Sequence, residues 1–65
     1  MVTVKVTDWN GRRSYYEFPN EDDAYYEMQR QKRQQQGCGM QVYRESSTSV
    51  ELRDGNDTYL VEIEY

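Results

Sequence analysis

The chain has 65 residues, 35% hydrophobic and 31% charged, with eight bases against twelve acids for a net charge of −4. A folded chain of this size hides only about 60% of its unfolded surface, so it forms one small domain of marginal stability. Length and composition exclude a second domain, a deep catalytic cleft and a helical membrane span.

Val2, Val4 and Val6 alternate with Thr3, Lys5 and Thr7, the pattern of a half-buried strand. Residues 13–18 form a second strand with Ser14, Tyr16 and Phe18 on one face. A two-residue Asn10-Gly11 turn would set Val6 against Tyr15 and mix the two faces. A three-residue loop, Trp9-Asn10-Gly11, instead pairs Val6 with Ser14, Val4 with Tyr16 and Val2 with Phe18, and places Gly11 in the left-handed region. The three-residue loop is the expectation, because a one-residue slip turns every side chain over.

Pro19 ends this strand, Asn20 is a good helix N-cap, and Asp23 stands where a capping box takes an acid. The predicted helix covers residues 21–36, about 24 Å at the helical rise, and Gly37 and Gly39 stop it. Acids open it (Glu21, Asp22, Asp23) and bases (Arg30, Lys32, Arg33) finish it, as the macrodipole favours. Its apolar stripe is thin: Ala24 and Met28 continue through Gln31 and Gln35, with Tyr25 on the flank. The first half should pack firmly and the second weakly.

Three strands follow. Residues 40–45 place Met40 and Val42 inward, residues 49–53 place Val50 and Leu52 inward, and residues 58–64 place Tyr59, Val61 and Ile63 inward. A two-residue Gly55-Asn56 turn pairs Leu52 with Tyr59 and Val50 with Val61, so turn and apolar faces agree. Ser46, Ser47 and Thr48 supply the looser turn before it. Hairpin, helix and three-stranded meander make a single α+β domain over residues 1–65. One helix can cover one face of a mixed or antiparallel sheet. The order of elements resembles a small β-grasp or α/β roll, and the resemblance implies a strand order 2-1-5-4-3.

The uncovered face then carries Thr3, Lys5, Thr7, Tyr15, Glu17, Gln41, Tyr43, Glu45, Glu51, Arg53, Leu60, Glu62 and Glu64. Tyrosine supplies contact area at low entropic cost, so this face reads as a binding or dimer surface. Sheets also favour tyrosine for its own sake. A second patch sets Tyr26, Arg30 and Arg33 at i, i+4 and i+7 on the helix. It could stack on and hydrogen-bond RNA, a phosphate or an acidic protein, or stand as a solvated face. Trp9 with Arg12 and Arg13 makes a third candidate at the hairpin tip, as a contact residue or a lid on the core edge.

Catalytic and cofactor chemistry finds little support. Histidine is absent, which removes imidazole bases and ligands. Cys38 is the single cysteine, so no intramolecular disulfide or thiolate cluster forms, which fits a reducing compartment. At a helix C-terminus with no neighbouring base, its thiol reads as structural or incidental rather than catalytic. Asp54 to Asp57 lacks calcium-loop spacing and reads as a hairpin turn, and no phosphate or dinucleotide loop occurs. The expectation is no catalytic residue, no metal site and no cofactor. No signal peptide is visible, so the expected location is the cytosol.

In size, acidity, tyrosine content and lone globular design the chain resembles the small proteins that phages encode against bacterial defences, anti-CRISPR proteins among them. The resemblance implies a non-enzymatic inhibitor in the host-cell cytosol. It would cover a basic, nucleic-acid-binding surface of a defence protein such as a CRISPR-Cas effector, with carboxylates standing in for phosphates. The residues expected to bind the partner are Tyr15, Glu17, Tyr43, Glu45, Glu51, Leu60, Glu62 and Glu64, with the acidic helix start, Glu21 to Asp23, in reserve. Tyr26, Arg30, Arg33, Trp9 and Arg12 form the secondary patch. Two alternatives stand beside this. One is a nucleic-acid-binding module built on the arginines, which the acidic total argues against. The other is a homodimeric assembly protein, because a second copy would supply burial that the thin core lacks.

Overall fold

A computed structural model describes residues 1–65. The elements run β1 (Val2–Thr7), β2 (Arg13–Phe18), α1 (Glu21–Gly37), β3 (Gln41–Glu45), β4 (Ser49–Asp54) and β5 (Asp57–Glu64). They form one five-stranded sheet of order β2-β1-β5-β4-β3, the order that the resemblance implies. Every pairing is antiparallel, including the central β1–β5 pair. The helix lies across one face only.

Local chemistry accounts for each connection. In the first hairpin Val6 faces Ser14, Val4 faces Tyr16 and Val2 faces Phe18, and Gly11 takes φ +80° at the loop's end. The Asp8 carboxylate tightens this loop, its Oδ1 accepting from the backbone N–H groups of Asn10 and Arg12 at 2.9 Å each. The second hairpin turns on Gly55 at φ +63° with no positive φ at Asn56, the pattern of a type II′ turn. The Ser46 Oγ accepts from the Ser49 N–H at 3.1 Å and closes the turn between β3 and β4.

The helix begins as expected. Asn20 Oδ1 accepts from the Asp23 N–H at 2.9 Å, although the Asp23 carboxylate returns no bond, so the capping box is half made. At the other end the Met40 N–H bonds the Gln35 carbonyl and the Gly39 N–H bonds the Gln36 carbonyl, at 3.1 Å each. That is the double bond pattern of a glycine-terminated helix, with Gly39 just beyond the cap and Gly37 still helical. The last turn carries no base, so the expected basic finish is corrected: Arg30, Lys32 and Arg33 lie one turn earlier, where Arg30 bonds Glu27, Lys32 bonds Glu45 and Arg33 stands free.

The core is a single cluster between helix and sheet. Val4, Ala24, Met28, Val50, Leu52 and Val61 are fully buried, and Val2, Val6, Met40, Tyr59 and Ile63 nearly so. From the helix it takes Ala24 and Met28 as apolar members, and then a polar one, Gln31. Gln31 survives burial because both ends of its amide are satisfied. Its Oε1 accepts from the Tyr59 hydroxyl at 2.8 Å and its Nε2 donates to Glu27 at 2.8 Å.

One register differs from strict alternation. Along β3, Val42 faces Leu52 and Arg44 faces Glu51, which leaves Tyr43 as an extra, bulged residue. Past a bulge the alternation of faces reverses. Arg44 therefore stands on the uncovered face beside Tyr43, and Glu45 turns to the helix side. There Glu45 bonds Gln29 and Lys32 of α1, each at 3.1 Å. The expectation that Glu45 projects from the open face is thus corrected. The bulge places it against the helix, where it ties down the polar half of α1.

Candidate protein-binding surface

The strand registers arrange the uncovered face in four rows across the sheet. Glu17, Thr3 and Glu64 form the first. Tyr15, Lys5, Glu62 and Ser49 form the second, and Arg13, Thr7, Leu60, Glu51 and Arg44 the third. Thr58, Arg53 and Gln41 complete the face. Adding Arg13 and Arg44 to the side chains expected from alternation makes four bases against four acids. The face is neutral in total and graded along the strands, with free acids at one end and arginines at the other.

Its central acids are already occupied. Glu51, 9% exposed, sits between Arg44 at 3.2 Å and Arg53 at 3.0 Å. Burial pushes its carboxyl up, but the bonds from Arg53 and Arg44 outweigh burial and hold it below the usual carboxylate range. The Arg53 guanidinium also stacks 3.7 Å from the centre of the Tyr43 ring. Glu62 lies 3.6 Å from Lys5. Of the residues expected to bind a partner, Tyr15 and Tyr43 are exposed, Leu60 and Glu62 are half-buried, and Glu17 and Glu64 are exposed without an ion pair.

The secondary patch is divided. Tyr26 is exposed and Arg33 is unpaired, but Arg30 grips Glu27 through two bonds of 2.9 and 2.6 Å. That grip holds the Glu27 carboxyl below its ordinary value, against the opposing effect of partial burial. Lys32 is bound to Glu45, and the bonds from Gln29 and Lys32 lower the Glu45 carboxyl as well. Trp9 is half exposed and leans on Tyr59, ring centres 6.2 Å apart, so it serves as a partial lid on the core. Arg12 stands exposed beside it in the hairpin. A shallow hollow of about 240 Å³ opens next to Trp9, lined by Gln35, Cys38, Met40, Asp54 and Asp57.

The remaining charge collects at the opposite end of the 34 Å long molecule. Four of the twelve carboxylates (Glu27, Glu45, Glu51, Glu62) have ion-pair partners, which leaves eight without one. Five of those eight, Glu17, Glu21, Asp22, Asp23 and Glu64, lie where β2 and β5 end and α1 begins. None of the unpaired bases is near: Arg12 and Arg13 belong to the far hairpin and Arg33 to the fourth turn of the helix. This end opens in a hollow of about 270 Å³ lined by Glu21, Asp22, Tyr25, Ser47, Ile63 and Tyr65. Tyr25 and Tyr65 are exposed. Two carboxylates beside two phenol rings suit an ammonium or guanidinium group with an apolar stem. Alternation along strands pointed to the sheet face, whereas this hollow joins three separate elements and emerges only on folding. Its legible signal was the acidic run at the helix start.

No cluster of three or more metal-ligating side chains occurs, and no helix is long and apolar enough to cross a membrane. The chain matches no protein-family model, no curated protein and no solved structure.

Proposed function

We propose that this is a non-enzymatic binding protein that inhibits another protein by covering a basic, nucleic-acid-binding surface. The observation that carries the reading is the acidic end. Glu21 and Asp22 border a tyrosine-lined hollow and have no counter-ion within the chain, with Asp23, Glu17 and Glu64 around them. Carboxylates held at fixed points on a folded surface can replace phosphates against lysines and arginines of a partner, and the hollow takes one such side chain. The resemblance in size and acidity to phage-encoded anti-defence proteins of the anti-CRISPR kind supplies the class of partner, a cytosolic defence protein that handles nucleic acid. Neither a cofactor nor catalysis enters this reading.

The test is capture of the partner from nuclease-treated bacterial lysate by the tagged protein, followed by the same capture with E21Q/D22N/D23N. The account expects one protein in stoichiometric amount, a binding strength that falls steeply with salt, and loss of capture by the folded variant. Undiminished capture by that variant overturns it. Recovery that vanishes with nuclease would instead transfer the function to Arg12, Arg13 and Arg33. Those are the arginines not committed to ion pairs.

A further inference from the structure

We infer that the uncovered sheet face docks a second copy of this chain, face to face, with the strands of the two copies antiparallel. The charge gradient selects both the occupant and its orientation. The face holds as many bases as acids, so it offers no net attraction to a basic or an acidic stranger, but it is complementary to itself once reversed.

Consider a two-fold axis lying in the face and crossing the strands, between the Lys5 row and the Thr7 row. It lays each strand over its own copy running the other way. Glu17 then lies one row, about 7 Å, along the same strand from Arg13 of the second copy, and Glu64 lies over the row of the second copy's Arg53, one strand aside; both pairs are within side-chain reach. Each contact occurs twice, as an isologous interface requires. The other two-fold in the plane, parallel to the strands, brings the Glu17–Glu64 row onto itself and sets four carboxylates together. Leu60 on the central strand and Tyr15 on the edge strand lie beside the axis as its apolar side chains, while Thr3, Thr7 and Ser49 are short enough to let two sheets approach to about 10 Å.

The fold also gives a reason for such a pair. Only 13 of the 65 residues are buried, and a single helix covers one face. A second sheet would bury the other face without placing an unpaired charge there. Glu21, Asp22 and Asp23 stay outside the contact and appear at both far ends of the pair, so E21Q/D22N/D23N tests the acidic-end function while the Glu17 and Arg13 reversals test the dimer.

Sedimentation equilibrium at low salt tests the proposal. Wild type is expected at about twice the chain mass of 7.9 kDa at tens of micromolar. Each single reversal, Glu17→Arg or Arg13→Glu, should weaken association at least tenfold, and E17R/R13E on one chain should restore it. Both positions are exposed on the edge strand, so circular dichroism should show the fold unchanged. Glu64→Arg on β5 serves as an independent reporter if either variant unfolds. A wild type that stays monomeric at several hundred micromolar overturns the proposal and leaves the face to a foreign partner. A dimer indifferent to these reversals overturns it equally, because the contact then lies elsewhere.

Discussion

The Tyr59 hydroxyl is the most exacting point of the core, and its removal has a calculable cost. Tyr59 is 7% exposed and Gln31 8%. The hydroxyl donates to Gln31 Oε1 at 2.8 Å, and Gln31 in turn donates to Glu27, which Arg30 holds from outside. In Tyr59→Phe the ring keeps its packing but the Gln31 carbonyl loses its donor in a dry site. An unsatisfied buried polar group costs about 1–3 kcal/mol. For a domain of this length the total stability is about 3–10 kcal/mol, and each kcal/mol moves Tm by about 4–8 °C. Tyr59→Phe should therefore lower Tm by at least about 4 °C. Gln31→Leu should cost a similar amount, because it strands the hydroxyl and frees Glu27. The double variant Y59F/Q31L replaces both partners with apolar groups, so it should lose less than the two single losses added, by about 1 kcal/mol of coupling. Urea melts followed by circular dichroism supply all three values. Trp9, the only tryptophan, rests on the Tyr59 ring and reports the same edge by fluorescence. Losses below about 0.3 kcal/mol in both single variants, or strict additivity, would refute the claim that this network seats the polar half of the helix.

Other outcomes follow from the same structure. Met28→Ala empties a fully buried site and should cost about 2–5 kcal/mol, enough to leave much of the chain unfolded at 37 °C in a thermal melt. Glu27, Glu45 and Glu51 all sit below the ordinary carboxylate value of 4.5 when folded. Their stabilisation is complete above that pH and is lost as pH falls through their lowered folded values. The urea midpoint should accordingly hold steady from pH 7 to 5 and drop below about pH 4, less steeply in E51Q; a midpoint flat to pH 3 would contradict this. Gly55→Ala forces a side chain onto φ +63° and should cost about 1–2 kcal/mol, read in the same melts. Neutralising Glu21, Asp22 and Asp23 removes favourable charge from the helix N-terminus, at about 0.3–1 kcal/mol each. A near-native spectrum with abolished partner capture is the expected pair of results.

Most of the fold was legible because its periodic patterns and its turns agree. The valines of β1 and the Trp9-Asn10-Gly11 loop both demand one register, and the apolar residues of β4 and β5 agree with a two-residue turn. The strand order came only from the resemblance in element order, because no local pattern says which strands of the hairpin and the meander become neighbours. The bulge at Tyr43 was not read, because alternation assumes one residue per step. A signal for it existed: strict alternation from Met40 and Val42 sends Arg44 inward, a charge with no partner there. Accepting the bulge moves Arg44 beside Glu51 and brings Glu45 to Lys32. The candidate surface was legible residue by residue but not in its electrostatics. Which carboxylates are spent on ion pairs depends on cross-strand and strand-helix neighbours, and these decide that Glu51 and Glu62 are occupied while Glu21 and Asp22 are free. The tyrosine-lined hollow depends on α1, the turn after β3 and the end of β5 meeting, which no local pattern encodes.

In the proposed function the acidic end displaces nucleic acid from a partner's basic surface. The most direct measurement is a competition assay with the captured partner and its labelled nucleic acid, followed by fluorescence polarisation as this protein is added. The account predicts stoichiometric release of the nucleic acid, weakened by salt and absent with E21Q/D22N/D23N. A stable ternary complex, with the nucleic acid still bound and the acidic variant as effective as wild type, would contradict it.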